Sequence, residues 1–217
     1  MYYSQDYQDS FLEEKIFKGF ENGTFVDVGA YDGEKFSNSL FFEKYRNWNG
    51  ICIEPIPEIY EKLKNKRKCI TYKCAIDNKD GTNSFLLNVG YPEMLSGIQQ
   101  YYDPRHFNRL NIEINNNGGK TSIIDVETKK LSTILEEQSI NHVHYLSIDV
   151  EGGEFAVIQS IDFSKVFIDV IGFENNYNDI SIPIVNYLKD KGYIQLNNDK
   201  WCLDIFMIHK NSDFYVE

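Results

Sequence analysis

The chain has 217 residues, 42% of them hydrophobic, which is enough for one sizeable core and points to a single domain. A formal net charge of -11 argues against broad contact with nucleic acid, whose phosphates require Lys and Arg, and disfavours docking on an anionic membrane surface. A small neutral or cationic partner is the easier fit.

No apolar run approaches the roughly 20 residues needed to span a bilayer. The opening Met1-Tyr2-Tyr3-Ser4-Gln5-Asp6 is polar, with no basic region ahead of an apolar one, so no signal peptide is expected. The four cysteines, Cys52, Cys69, Cys74 and Cys202, form no C-x-x-C pair. Reduced thiols in a cytoplasmic protein are the expectation.

In chain order, Phe11, Leu12, Ile16 and Phe17 fall on one helical face, predicting a leading helix over Gln5 to Phe20. Ser4 to Asp9 before it read as an N-cap and a solvated first turn. Thr24 to Val28 reads as a buried strand that runs into a turn with glycines at Gly29 and Gly33, and then a helix over Glu34 to Tyr45. Strand, glycine turn and helix make a ligand crevice at the carboxyl end of an open α/β sheet. The G-x-G-x-x-G of a dinucleotide site is missing, and Asp27 adds negative charge. That pattern suits a ligand carrying an amine and a sulfonium better than a diphosphate.

Gly50 to Ile53 predicts a second strand ending at Glu54-Pro55, at the interval where an acid takes ribose hydroxyls in nucleotide-binding units. Pro57 to Lys66 reads as a helix with proline in its first turn. Ile70 to Ile76 reads as a third strand ending at Asp77. Residues 82–126 break the alternation. Strands are predicted at Thr82 to Val89 and Thr121 to Val126, joined by a long connection that holds Tyr91, Tyr101, Tyr102, Arg105, His106 and Arg109. Long connections of this kind are usually lids or binding loops, and flat aromatics with Arg suit a sugar. Asn115 to Gly119 reads as a turn.

Leu131 to Ser139 is a predicted helix, Val143 to Asp149 a fourth strand and Phe155 to Ile161 a helix. Val166 to Phe173 is a fifth strand, running into Glu174-Asn175-Asn176. Ser181 to Lys191 is a helix stopped by Gly192. Tyr193 to Leu196, the turn Asn197 to Lys200, and Trp201 to His209 predict a closing β-hairpin. Strand ends thus deliver Asp27, Glu54, Asp149 and Glu174 to one sheet edge, and acids at corresponding places outline a site.

With Phe25-Val26-Asp27-Val28-Gly29-Ala30-Tyr31-Asp32-Gly33, Ser37-Asn38, Ile53-Glu54-Pro55, Ser147-Ile148-Asp149-Val150-Glu151-Gly152 and Glu174-Asn175, the chain resembles the FkbM family of class I S-adenosylmethionine-dependent methyltransferases. The resemblance covers nearly the whole chain. It implies a Rossmann-like α/β sheet with helices on both faces, a terminal antiparallel hairpin, an N-terminal helix or lid (1–20) and inserted strands with an acceptor loop (82–126), all in one domain over 1–217. It also implies S-adenosylmethionine as cofactor. Gly29, Ala30 and Gly33 would lie under its methionine portion, Asp27 near its amino group, Glu54 and Pro55 at the ribose, and Ala75 and Asp77 near the adenine. Ser37, Asn38 and the N-terminal Gln8 are further candidates.

Methyl transfer is an in-line displacement, so the enzyme must chiefly align an acceptor oxygen. A hydroxyl also needs its proton removed or a metal to polarise it. Asp149 is the expected base, Glu151 its assistant, and His106 an alternative that reads more simply as a surface histidine. Asp149, Glu174 and Asn175 offer hard oxygen ligands that suit Mg2+, a set similar to that of metal-dependent O-methyltransferases. Their other reading is hydrogen bonding to the acceptor or to one another. The expected acceptor is a small molecule or glycan with a hydroxyl. The rival readings are an NAD-dependent oxidoreductase and a non-catalytic nucleoside-binding module. Oligomeric state, a homodimer included, is not legible.

Overall fold

The computed structural model describes residues 1–197, 202 and 204–216. In chain order, α1 (Gln8–Phe11) continues as a π-helical stretch over Leu12–Phe17 and is followed by β1 (Thr24–Val28), α2 (Leu40–Tyr45), β2 (Asn49–Ile53), α3 (Pro57–Lys66) and β3 (Ile70–Tyr72). Next come β4 (Ala75–Ile76), β5 (Gly81–Gly90), β6 (Gly97–Ile98), α4 (Pro104–Asn117) and β7 (Gly119–Lys129). The chain ends with α5 (Leu131–Glu137), β8 (His142–Ile148), α6 (Glu154–Gln159), β9 (Phe167–Phe173), α7 (Asn178–Asp190), β10 (Tyr193–Gln195) and β11 (Ile205–His209).

The larger sheet has seven strands in the order β10-β11-β9-β8-β1-β2-β3. The run from β3 to β9 is parallel, and β11 and β10 pair antiparallel at the far edge. Successive strand residues face opposite sides, and here both sides are covered. Val26, Ile51, Leu146 and Ile171 pack under α5, α6 and α7. Phe25, Cys52, Tyr145 and Phe206 pack against Phe11, Phe42 and Trp48. This is why the central strands read as near-continuous apolar runs. Asp27 lies in register with Cys52 and Ser147, so it sits on the aromatic side just short of the carboxyl edge.

A second, four-stranded sheet, β4-β7-β5-β6, carries the insert. This sheet, built on a long antiparallel β5–β7 ladder, packs through Phe85 of β5, Ile98 of β6 and Val126 of β7 onto Ile56 and Ile59 at the start of α3. The insert therefore hangs over the carboxyl edge of the large sheet. Among the described residues no helix is long and apolar enough to cross a membrane.

Several local expectations are corrected. The leading helix starts at Gln8, and its first turn is buried rather than solvated: Asp9 is fully enclosed and accepts hydrogen bonds from Ser4 Oγ (2.6 Å) and Tyr3 N–H (2.6 Å). The helix expected from Glu34 begins at Leu40, because Tyr31, Gly33 and Phe36 adopt left-handed backbone and Phe36 bridges to Ser4. The strand over Ile70 to Ile76 divides: β3 ends the large sheet, while Ala75 and Ile76 cross to pair with β7. The expected turn at Asn115 to Asn117 is the last turn of α4, a helix capped by the Asp103 side chain, which accepts from Arg105 N–H, with Pro104 in its first turn. Of the hairpin turn, residues 198–200 lie outside the described residues, as does Trp201.

Candidate active site

Backbone hydrogen bonds continue the ladders past the strand ends. Asp149 N–H donates to Val28 O (3.0 Å), Glu174 N–H to Ile148 O (3.2 Å), and Gly29 and Ala30 N–H both to Ile53 O (3.0 Å each). The residues just beyond β1, β2, β8 and β9 are thereby fixed side by side. Between this edge and the insert lies a cavity of about 540 Å³, and beside it a recess of about 80 Å³ reaches under the N-terminal segment. Gly29, Tyr31, Lys35, Asp149 and Glu174 wall both spaces. Gly29 has φ +88°, and a Cβ there would lie 1.8 Å from the Asp149 carbonyl oxygen, so only glycine fits.

Glu54, Pro55 and Ala75 line the larger cavity. Glu54 is 5% exposed, and its Oε1 accepts from Ile56 N–H at 2.8 Å. Burial pushes its pKa up to about 8 against those backbone bonds, and Glu93 adds to the rise. Asp27, Ala30, Ser37, Asn38 and Gln8 line the recess. Burial raises the Asp27 pKa, while Arg67 and the Ser39 hydroxyl that donates to its Oδ2 oppose the rise. Arg67 is itself enclosed and donates to Glu43, Gly33 O, Ser37 Oγ and Ser39 Oγ. Ser37 Oγ also accepts from Leu40 N–H, which places it at the helix start. Asn38 Nδ2 donates to Ser147 Oγ (3.0 Å), whereas its Oδ1 is buried without a partner. Gln8 donates to Asp204 (3.0 Å) and accepts from Asp6 N–H.

Three sequence candidates stand elsewhere. A Cβ at Gly33 would meet Leu63 and Arg67 at 2.7 and 2.8 Å, so this glycine makes room for α3 and lines neither space. Asp77 is fully buried, with its carboxylate taken up by Tyr101 OH (2.7 Å), Asn83 Nδ2 (3.0 Å) and Asn78 N–H (2.7 Å). Asn175 spends its amide on Asn178 and Ser181 at the start of α7.

Glu151 occupies the place foreseen for Asn175. Oxygens of Asp149, Glu151 and Glu174 lie within 4.8 Å of one another. Burial, followed by repulsion from Asp204, Glu154 and Asp27, lifts Asp149 to about 8, though its side chain is open on the cavity side. Burial and its acidic neighbours lift Glu174 to about 11 and raise Glu151 as well. His106 is not a surface residue: it is 3% exposed on α4, and its Nε2 is 3.2 Å from Glu151 Oε2. Burial and Arg109 lower its pKa to about 4, which keeps the ring neutral.

Arg109 and Glu93 also wall the cavity, and Tyr31 OH donates to Glu93, joining the glycine turn to the insert across it. Neither Arg67 nor Glu93 carried a sequence signal, because each acts through partners distant in the chain, Ser37, Ser39 and Glu43 for Arg67 and Tyr31 for Glu93.

The raised carboxylates have a consequence for stability. A buried acid whose folded pKa lies above its unfolded one binds more protons in the folded state, so stability falls as pH rises between the two values. His106 and His144, with lowered pKa values, act in the opposite sense only below about 6.5. From pH 6.5 to 8 the melting temperature of the metal-free chain is therefore expected to fall. Glu54 contributes up to about 1.4 kcal/mol per pH unit, and Glu54→Gln is expected to flatten the slope in a chelator-treated thermal melt.

The strand order with its antiparallel edge hairpin, and acids gathered at the carboxyl edge, define a Rossmann-like α/β fold of the methyltransferase type. The chain belongs to the FkbM methyltransferase family: the family model for the Methyltransferase FkbM domain matches residues 27–194. A solved FkbM methyltransferase from Methylobacillus flagellatus KT superposes with a TM-score of 0.52 at 13% identity, over 86% of this chain. This chain spans 43% of that one's length. A precorrin-6y C5,15-methyltransferase from Geobacter metallireducens GS-15 gives a TM-score of 0.43 at 13% identity, over 92% of this chain and 85% of that one. No curated relative matches.

Proposed function

We propose that this chain transfers a methyl group from S-adenosylmethionine to a hydroxyl of a sugar or glycan. The observation that carries the reading is the two-part space at the sheet edge, with a buried carboxylate in each part: Glu54 in the cavity and Asp27 in the recess. The residues fit the cofactor. Asn38 Oδ1, a buried acceptor without a partner, and Asp27 suit its ammonium group. Glu54 suits a ribose diol, and glycine at position 29 leaves the space a Cβ would fill. Bound there, S-adenosylmethionine supplies an electrophilic methyl group.

Asp149, in the wall shared by both spaces, accepts the acceptor's proton, and a pKa near 8 suits a base at neutral pH. Glu151 and Glu174 hold the acceptor's other hydroxyls. Tyr91 and Phe36, exposed in the cavity wall, offer apolar faces for a sugar ring. The preference for oxygen rests on the family likeness.

Isothermal titration with S-adenosylmethionine, S-adenosylhomocysteine and NAD tests the reading, with binding of the first two and none of NAD expected. Binding of NAD alone would transfer the chain to the oxidoreductases, and methyl-donor binding without turnover on any hydroxyl acceptor would leave a binding module. Glu54→Ala is expected to weaken S-adenosylhomocysteine by about 1.5–3 kcal/mol for each charge-assisted bond lost, without lowering the melting temperature, since burying that acid costs stability.

A further inference from the structure

Along the chain Cys69 lies nearest to Cys74, yet the fold sets it against Cys52. The Cys69 thiol donates to Cys52 Sγ at 3.5 Å, across 17 positions of chain that carry α3. Cys52 lies in β2, in register with Asp27 of β1 on one side and Thr71 of β3 on the other. Cys69 stands two residues before Thr71, and residues two apart on an extended chain point to the same side of a sheet. Both thiols belong to the aromatic cluster on that side. Side chains that converge in this way meet the geometric condition for a disulfide.

The two thiols differ in access. Cys52 is fully buried and Cys69 half-buried. Burial pushes the Cys52 thiol well up, the bond from Cys69 adds to the rise and Arg67 opposes it, so Cys52 stays protonated. An oxidant therefore meets Cys69 first. Arg67 is the third member of the group. It lies two residues before Cys69, and its charge acts on both sulfurs and on Asp27. Its guanidinium donates to Ser37 Oγ (3.2 Å) and Ser39 Oγ (3.1 Å), and the Ser39 hydroxyl donates in turn to Asp27 Oδ2. The sulfur pair and the recess thus share one cation.

The two ends of the pair are not equally free to move. Cys52 is laddered on both sides, whereas Cys69 stands just ahead of β3, the short edge strand of the large sheet. Closing the sulfurs to the roughly 2.05 Å of a disulfide therefore draws the segment from Arg67 to Cys69 toward β2.

We propose that Cys52 and Cys69 form a redox switch: a hydroperoxide closes them into a disulfide, and closure draws Arg67 off Ser37 and Ser39 and loosens the recess around Asp27. In the first step the peroxide O–O bond breaks. Cys69 takes one hydroxyl as a sulfenic acid, and the other oxygen leaves with the Cys69 proton as water or alcohol. The Cys52 sulfur then attacks Cys69 Sγ, and the hydroxyl leaves with the Cys52 proton as water. Two thiols lose two electrons, which the peroxide bond takes up. A dithiol reductant reverses the change. The bond and the loosening stand apart from the methyl-transfer reading, and only their effect on the cofactor rests on it.

The test treats the reduced full chain with a small excess of hydrogen peroxide. The thiol count after denaturation should fall from four to two, with the mass lower by two hydrogens. Peptide mapping should place the bond between Cys52 and Cys69, and dithiothreitol should restore both thiols. The amides of Ser39 and Leu40 donate to Ser37 Oγ. Their hydrogen exchange should quicken about tenfold in the disulfide form. S-adenosylhomocysteine should bind that form about tenfold more weakly. Cys69→Ser, treated alike, should show neither change. A Cys69 sulfonic acid without a disulfide, a bond to another cysteine, or a Cys52–Cys69 bond that leaves exchange at Ser39 and Leu40 unaltered would each overturn the switch. A reduced chain that does not bind S-adenosylhomocysteine, while exchange still responds to the bond, would count against the methyl-transfer reading alone.

Discussion

Gly29→Ala is expected to abolish cofactor binding and to cost the chain more stability than any other glycine-to-alanine change at the site. Two penalties act together there. The backbone is left-handed at φ +88°, and the new Cβ would sit 1.8 Å from the Asp149 carbonyl oxygen. Neither backbone can retreat freely, because Asp149 N–H is bonded to Val28 O and Gly29 N–H to Ile53 O. Backbone strain and overpacking each cost about 1–3 kcal/mol, and relief would come from pushing Asp149 away from β1. Gly118→Ala is the control. Its φ is +78°, but nothing lies within 4 Å of a Cβ. Strain alone, about 1–2 kcal/mol, should lower its melting temperature by only a few degrees and leave binding intact. Equal losses in the two variants would show that close approach at Gly29 is not what matters.

Asp149→Asn is expected to lower kcat by about 10²–10⁴-fold while changing S-adenosylhomocysteine affinity by no more than about threefold. Asparagine keeps the shape and the backbone bond to Val28 but cannot accept the acceptor's proton. Asparagine also removes a carboxyl whose ionisation burial disfavours, so the melting temperature should hold or rise. That separates lost chemistry from lost fold. Affinity destroyed with turnover retained would reverse the roles given to Asp149 and Glu54.

Much of the scaffold was legible, for a physical reason. Strands buried on both faces are largely apolar, so β1, β2, β8 and β9 announce themselves, and the acids that follow β2, β8 and β9, with Asp27 one residue short of the end of β1, mark the sheet edge. The insert was harder to read. Asp103-Pro104, a helix-start signal, was present ahead of α4, but Leu110 is the only hydrophobic residue of that helix that is fully buried, so its apolar period was weak. The late start of α2 could not be read at all, since it depends on Phe36 meeting Ser4, 32 residues earlier.

Local sequence by itself determined the order of strands and turns, the glycine at position 29 and the presence of Asp27, Glu54, Asp149 and Glu174 near one edge. Only the tertiary structure decided which of these acids share a space. It turned Asn175 to α7 and Asp77 to Tyr101, and set Glu151 against His106 from a helix 45 residues upstream. A strand fixes where its last Cα lies. Where the side chain beyond it points is set by left-handed turns such as Glu151-Gly152 and by partners that other parts of the chain provide.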